Sequence, residues 1–210
     1  MKPLSILMLA VLASPVFAQA PAVAPVAAPT PALALPRVAL ETSAGRVVIE
    51  VESVKAPVTA ANFLKYVDQK KLDGVEFYRT VKVADRFGFV QFGVAGDPKR
   101  NLPPITHEPT TLTGLHHTEG TISLARLEPG TGRGEFTISV GDQSRSLDAA
   151  PGIPADGLGY AAFGHVVEGM DVIVHIMDQP VSPTATQRGA FKGEMPVAAI
   201  KVLTARRVKP

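Results

Sequence analysis

The stretch Glu76–Gly93, E-F-Y-R-T-V-K-V-A-D-R-F-G-F-V-Q-F-G, decides how this chain is read. Arg79 stands directly behind two aromatics, Phe77 and Tyr78. A dozen residues later an apolar, β-prone run (Phe87, Phe89, Val90, Phe92) carries a single amide side chain, Gln91. A fixed guanidinium, an amide and several rings suit the binding of a neutral, partly apolar segment with one polar atom to be polarised. They do not suit hydrolysis by a nucleophile. An arginine's commoner fate is a surface ion pair, since most arginines are exposed; the aromatics before Arg79 argue for a site.

Outward from this stretch, periodicity lays out the elements. Val38 to Leu40 and Arg46 to Val51 are β-prone, separated by the small-residue turn Ser43-Ala44-Gly45, which reads as a hairpin. In its second arm Val47, Ile49 and Val51 form one wholly apolar face. Pro57 suits the first turn of a helix. Ala60, Phe63, Leu64 and Val67 follow at i, i+3, i+4 and i+7, and Gly74 beyond them sets the helix end near Lys71. Further strands are predicted at 75–79, 89–94, 120–126, 135–140, 161–167 and 198–204, with 80–88 as a loop. A second helix is predicted over Met170–Met177. Many short strands with two helices point to a mainly β protein: a closed eight-stranded antiparallel barrel, which removes sheet edges, capped by two α-helices.

The ends of the chain read differently. Lys2 followed by the apolar run Leu4–Phe17 and the small residues of Val16-Phe17-Ala18 has the pattern of a cleavable signal peptide, residues 1–18. That run is shorter than the ~20 residues a membrane span needs. Residues 19–36 (QAPAVAPVAAPTPALALP) are an Ala/Pro-rich linker whose prolines forbid a continuous helix. Residues 37–208 then fit a single domain. Twenty-one basic against nineteen acidic residues leave +2, a balance that gives no electrostatic footprint for nucleic acid. The chain has no cysteine, which excludes disulfides, a lipidated N-terminus and thiolate metal sites. The expectation is an exported, periplasmic, monomeric protein with no cofactor and no membrane span once the signal is cleaved.

Other motifs carry little. Gly130-Thr131-Gly132-Arg133-Gly134 lacks the strand and helix that a dinucleotide loop requires and reads as a loop before a strand. There is no G-x-S-x-G elbow and no H-E-x-x-H pair. His107, His116 and His117 lack the spacing of a metal set and read as surface loop residues; His165 and His175 read as ordinary surface or half-buried histidines.

Seven segments in order resemble one family. T-A-A-N-F (59–63) resembles its first helix, F-Y-R (77–79) its F-H-R motif, and F-V-Q-F-G (89–93) its F-M-x-Q-G-G. E-G-T-I-S-L-A-R (119–126) resembles its pocket-alanine strand, G-E-F-T-I (134–138) its S-Q-F-F-I, and Ser146-Leu147-Asp148 its W-L-D. G-Y-A-A-F-G-H-V-V-E-G-M-D-V (159–172) is similar to its last bacterial motif. The chain resembles a bacterial, exported cyclophilin, a peptidyl-prolyl cis-trans isomerase.

The resemblance implies Arg79 as the catalytic arginine and Gln91 as the amide holding the substrate backbone. It implies a substrate-binding set of Phe87 or Phe89, Ala125, Arg126, Glu135, Phe136, Thr137, Leu147 and Tyr160, with Phe136 in the core behind the pocket. Its partners would be proline-containing peptides and unfolded or folding proteins. The chain departs from the pattern in four places. Thr137 stands where the family has a phenylalanine on the pocket floor, Glu135 replaces a glutamine, and Phe92 replaces a glycine. Arg79 and Gln91 are about four residues further apart than usual. Thr137, Glu135 and Ser146 give a second expectation, a proline-peptide binding or chaperone module with weak or lost catalysis.

Overall fold

The computed structural model describes residues 34–95, 97–152 and 156–209. The expected signal peptide and residues 19–33 of the linker lie outside them. The hairpin at the start forms as its alternation predicts: β1 (Arg37–Thr42) pairs antiparallel with β2 (Gly45–Val51). Val47, Ile49 and Val51 of β2 are fully buried, because a strand period of two sends them all to one side.

After α1 (Pro57–Asp68) come β3 (Glu76–Ala84), β4 (Phe87–Gly93), the single-turn α2 (Thr110–Thr113), β5 (Thr121–Leu124) and β6 (Glu135–Val140). The single-turn α3 (Ser144–Leu147), β7 (Ala161–Glu168) and α4 (Met170–Met177) follow. Two short strands, β8 (Val181–Ser182) and β9 (Met195–Pro196), pair with each other before β10 (Val202–Val208). The eight-stranded antiparallel sheet has the order β10-β1-β2-β7-β5-β6-β4-β3. Its two edges meet: Gly74 N–H donates to the Val202 carbonyl (2.7 Å), Val202 N–H to the Val75 carbonyl (2.8 Å) and Phe77 N–H to the Ile200 carbonyl (2.9 Å). These bonds join the edge strand β3 to the segment entering β10 and curl the sheet into a barrel-like form.

The barrel interior is aromatic. Phe136 is wholly buried, with ring centroids of Phe63 at 5.0 Å, Phe92 at 5.7 Å and Phe163 and Tyr66 at 5.9 Å. Phe63 and Tyr66 come from α1, which packs on β7 and β10, while α4 packs on β2, β3, β4 and β6. No side chain of α1's own N-terminus caps it. Glu108 does so from a distant loop: its carboxylate accepts from Val58 N–H, Thr59 N–H and the Thr59 hydroxyl at 3.1, 2.7 and 2.6 Å. That satisfies amides a helix start leaves unpaired and places a negative charge at the positive end of its dipole.

Four sequence expectations need correction. Helix α1 ends at Asp68, not Lys71; turns carry the chain on to Gly74, whose φ of +73° suits glycine. Residues 80–88 are not a loop: β3 and β4 run on to a two-residue turn at Asp85-Arg86, so the extra residues lengthen a hairpin. The last strand starts at Val202 rather than 198. His117 is fully buried, because its Nδ1 finds the Asp148 carboxylate at 2.6 Å. Burial thus leaves Nδ1 paired and Nε2 without a hydrogen-bond partner among the described residues.

Candidate active site

Arg79 and Gln91 are directly opposite each other in the β3–β4 ladder, so both side chains leave the sheet on one face. The register shifts between Phe77 and Arg79, leaving Tyr78 as an extra residue. Neighbours along a regular strand point to opposite faces; this bulge lets Tyr78 and Arg79 line the same cleft. Thr137 of β6 is opposite Gln91, and Ser123 of β5 is opposite Thr137, which continues the row across the outer wall of the barrel. The next row, Phe77, Phe92, Phe136 and Leu124, faces the core.

The cleft is about 960 Å³. Arg79, Phe89, Gln91, Ala125, Arg126, Glu135, Thr137, Leu147 and Tyr160 all line it, so nine candidates from five separate stretches converge. Two candidates fall outside it. Phe136 is fully buried and cannot touch a ligand. Phe87 lies beyond the cleft, its ring set where a Cβ on Gly141 would come within 2.9 Å. Phe89 is the phenylalanine beside the arginine, its ring centroid 5.0 Å from Arg79 Cζ.

A relay of hydrogen bonds fixes the polar groups. Arg79 Nη1 donates to Gln91 Oε1 (3.2 Å), Gln91 Nε2 to the Tyr78 hydroxyl (2.7 Å), and that hydroxyl to Glu135 Oε2 (2.7 Å). Burial, with the neighbouring Glu135 carboxylate, pushes the Tyr78 phenol well above its ordinary range, so it stays a donor. Gln91 is itself nearly buried, its amide committed on both sides. The Thr137 hydroxyl hydrogen-bonds that of Ser123 (2.8 Å), which makes this floor smaller and more polar than a phenyl ring would.

Arg126 lines the cleft but is engaged elsewhere. Its guanidinium makes two bonds to Asp156 (2.7 and 2.9 Å) and two to the Gly159 carbonyl (3.1 and 2.6 Å), with Cζ 5.5 Å from the Tyr160 ring. The Arg126 bonds hold the Asp156 carboxyl down to about 2. Arg126 ties down the segment that presents Tyr160. Asn62 and Tyr66 of α1 do the same opposite, holding the Arg133 carbonyl (2.6 Å) and the Leu102 N–H (2.8 Å).

Sequence reasoning missed one wall of the cleft, the β8–β9 connection. Gln187, Arg188, Ala190 and Phe191 line the cleft, Phe191 sits 4.5 Å from Arg79 Cζ, and Glu194 accepts from Arg79 Nε at 2.6 Å. No periodicity marks this segment, and it lies 115 residues from its partner. Arg79 is thus both a site residue and half of an ion pair.

Comparison with known proteins agrees with this architecture. The sequence model of the family described as cyclophilin type peptidyl-prolyl cis-trans isomerase/CLD matches residues 37–206. A peptidyl-prolyl cis-trans isomerase of Streptomyces antibioticus is 34% identical over 172 residues, 74% of this chain and 98% of its own length. Peptidyl-prolyl cis-trans isomerase B of Escherichia coli (strain K12) is 31% identical over 164 residues, 76% of this chain and 92% of its own. A crystal structure of a Cryptosporidium parvum cyclophilin type peptidyl-prolyl cis-trans isomerase superposes with a TM-score of 0.65 at 18% identity, covering 84% of this chain and 99% of that one; a second structure of that protein is described as in the presence of the dipeptide Ala-Pro. The chain belongs to the cyclophilin-type peptidyl-prolyl cis-trans isomerases.

Proposed function

We propose that the cleft binds a proline-containing segment of an exported protein and that Arg79 catalyses rotation about its X-Pro bond. The supporting observation is the register of β3 and β4, which pairs Arg79 with Gln91 on the cleft face. Rotation costs about 18–20 kcal/mol because the nitrogen lone pair is conjugated with the carbonyl. Midway through rotation that conjugation is lost and the lone pair is localised on a pyramidal nitrogen. A guanidinium held against it favours this state over either planar isomer, which is stabilisation of the transition state alone. Gln91 and Tyr78 hold the arginine, and Phe89, Ala125, Leu147 and Tyr160 take the pyrrolidine ring. No proton transfer or covalent intermediate is needed.

The Lys2 and Leu4–Phe17 pattern supports export, with periplasmic clients, and a cleft built within one chain supports action as a monomer. The test is exchange NMR or a protease-coupled assay on short X-Pro peptides. Wild type should accelerate exchange, and Arg79→Ala should lose roughly a hundredfold in kcat, the scale of removing one preorganised donor. Equal, negligible rates for both would sink the enzyme reading. A proline-peptide binder with weak turnover is the second reading, favoured by the small, polar Thr137 floor. It predicts peptide binding without faster exchange.

A further inference from the structure

Arg79 Cζ lies between two rings, Phe89 at 5.0 Å on its own hairpin and Phe191 at 4.5 Å on the β8–β9 connection. Its Nε donates to Glu194 at 2.6 Å and its Nη1 to Gln91 at 3.2 Å. Two ring contacts and two hydrogen bonds define the orientation of a planar fork. They leave Nη2 without a hydrogen-bond partner among the described residues.

The far half of this clamp is itself anchored. Thr80 N–H, next to Arg79, donates to the Glu194 carbonyl at 2.7 Å, and Glu194 N–H to the Phe191 carbonyl at 3.0 Å. The β8–β9 pair pins the base of the connection, and Gln187 and Ala190 exchange two backbone hydrogen bonds of 2.9 Å at its tip. Phe191 is held at φ +63°, a conformation that side-chain-bearing residues seldom take without a compensating contact. Its contacts are Arg79 and the Tyr78 ring at 6.1 Å.

We infer that Glu194 and Phe191 are positioning residues for the isomerase reaction, holding Arg79 flat with one guanidinium edge toward the prolyl nitrogen. The inference rests on the isomerase reading of the cleft. Two opposing effects of Glu194 must be weighed. Its carboxylate partly offsets the charge that Arg79 offers the transition state. It also removes rotational freedom from a long side chain that must meet a nitrogen within a few tenths of an ångström. The pair is partly exposed, its side chains 25% and 34% accessible, so solvent screens the charge offset. Solvent does not screen geometry. Positioning should win.

The experiment uses Glu194→Ala, Glu194→Gln and Phe191→Ala in the full chain, each checked for an unchanged far-UV spectrum and thermal midpoint within a few degrees. Two readouts are taken: the Arg79 Nε–Hε resonance, and kcat with KM for an X-Pro peptide. In wild type the resonance should be shifted by the carboxylate and slow to exchange with water; in Glu194→Ala it should move and broaden. In Glu194→Ala and Phe191→Ala, kcat should fall about tenfold, within the loss expected from misplacing a catalytic group, with KM changed less than twofold. Glu194→Gln, which keeps an acceptor oxygen, should recover most of the rate. An unmoved resonance overturns the inference, as does a moved one with unchanged kcat, or a Glu194→Gln enzyme faster than wild type. Wild-type and Arg79→Ala proteins equally inactive, with the resonance shifted, would instead overturn the isomerase reading and the inference with it.

Discussion

Tyr78 shows how much one side chain can carry in this site. Its hydroxyl accepts from Gln91 and donates to Glu135, and Gln91 in turn holds Arg79. Removing it leaves the nearly buried Gln91 amide N–H short of a partner, at about 1–3 kcal/mol for a buried group left unsatisfied. Tyr78→Phe is therefore expected to lower stability by about that amount, read as a shift in denaturant midpoint, and to lower kcat through a looser Gln91. The residue types of this relay were legible in F-Y-R and F-V-Q-F-G; its wiring was not. Tyr78 and Arg79 are adjacent, and strand alternation alone would send them to opposite faces. The bulge that brings them together has no marker in the sequence. The resemblance implied Phe136 in the core behind the pocket, and alternation along β6 explains why Thr137, not Phe136, meets the cleft.

The β3–β4 hairpin is the element on which the site depends. Its backbones approach so closely that a Cβ on Gly88 would lie 1.9 Å from the Val81 carbonyl oxygen. Gly88→Ala should cost about 1–3 kcal/mol by forcing the strands apart, and should weaken peptide binding because Phe89 is the next residue. Chemical denaturation and peptide titration by fluorescence would check both; an unchanged midpoint would show that the hairpin yields without cost. Elements with strong local patterns, such as β2 and α4, could be read from the chain with their ends nearly right. The β8–β9 connection could not, because the contacts that place it against Arg79 are made at long range. The cap of α1 by Glu108 is of the same kind: a helix start without a capping side chain gives no hint of which distant carboxylate supplies it.

At the scale of the whole molecule, pH acts in part through the buried pair His117 and Asp148. Asp148 accepts from His117 Nδ1 (2.6 Å), His117 N–H (3.0 Å) and the more exposed His116 (2.7 Å), and its own N–H closes α3, which presents Leu147. Burial holds His117 below its ordinary value, and no partner among the described residues meets its Nε2, which fits a neutral ring donating from Nδ1. Below pH about 6.5 the unfolded chain binds a proton that the folded site resists, so this contribution is present above that pH and is lost on acidification. The folded Asp148 lies below its ordinary value, despite burial, because both histidines and a backbone amide bond it; its contribution is lost only further down, beneath pH about 3.9. Stability measured from pH 7.5 to 5 should fall below pH about 6.5, with a slope from this group no steeper than about 1.4 kcal/mol per pH unit. His117→Gln should flatten that slope; an equal slope would assign it to other groups.

The closing of the barrel has a consequence in time. Strand β10 completes the sheet beside β1, and the segment just before it seals the edge of β3. Both belong to residues 200–208, which leave the ribosome after every other strand. Until they emerge, a nascent chain carries two raw sheet edges at once, and Arg79 has gained its carboxylate only a few residues earlier. A prolyl isomerase thus carries an unfinished sheet through most of its own synthesis.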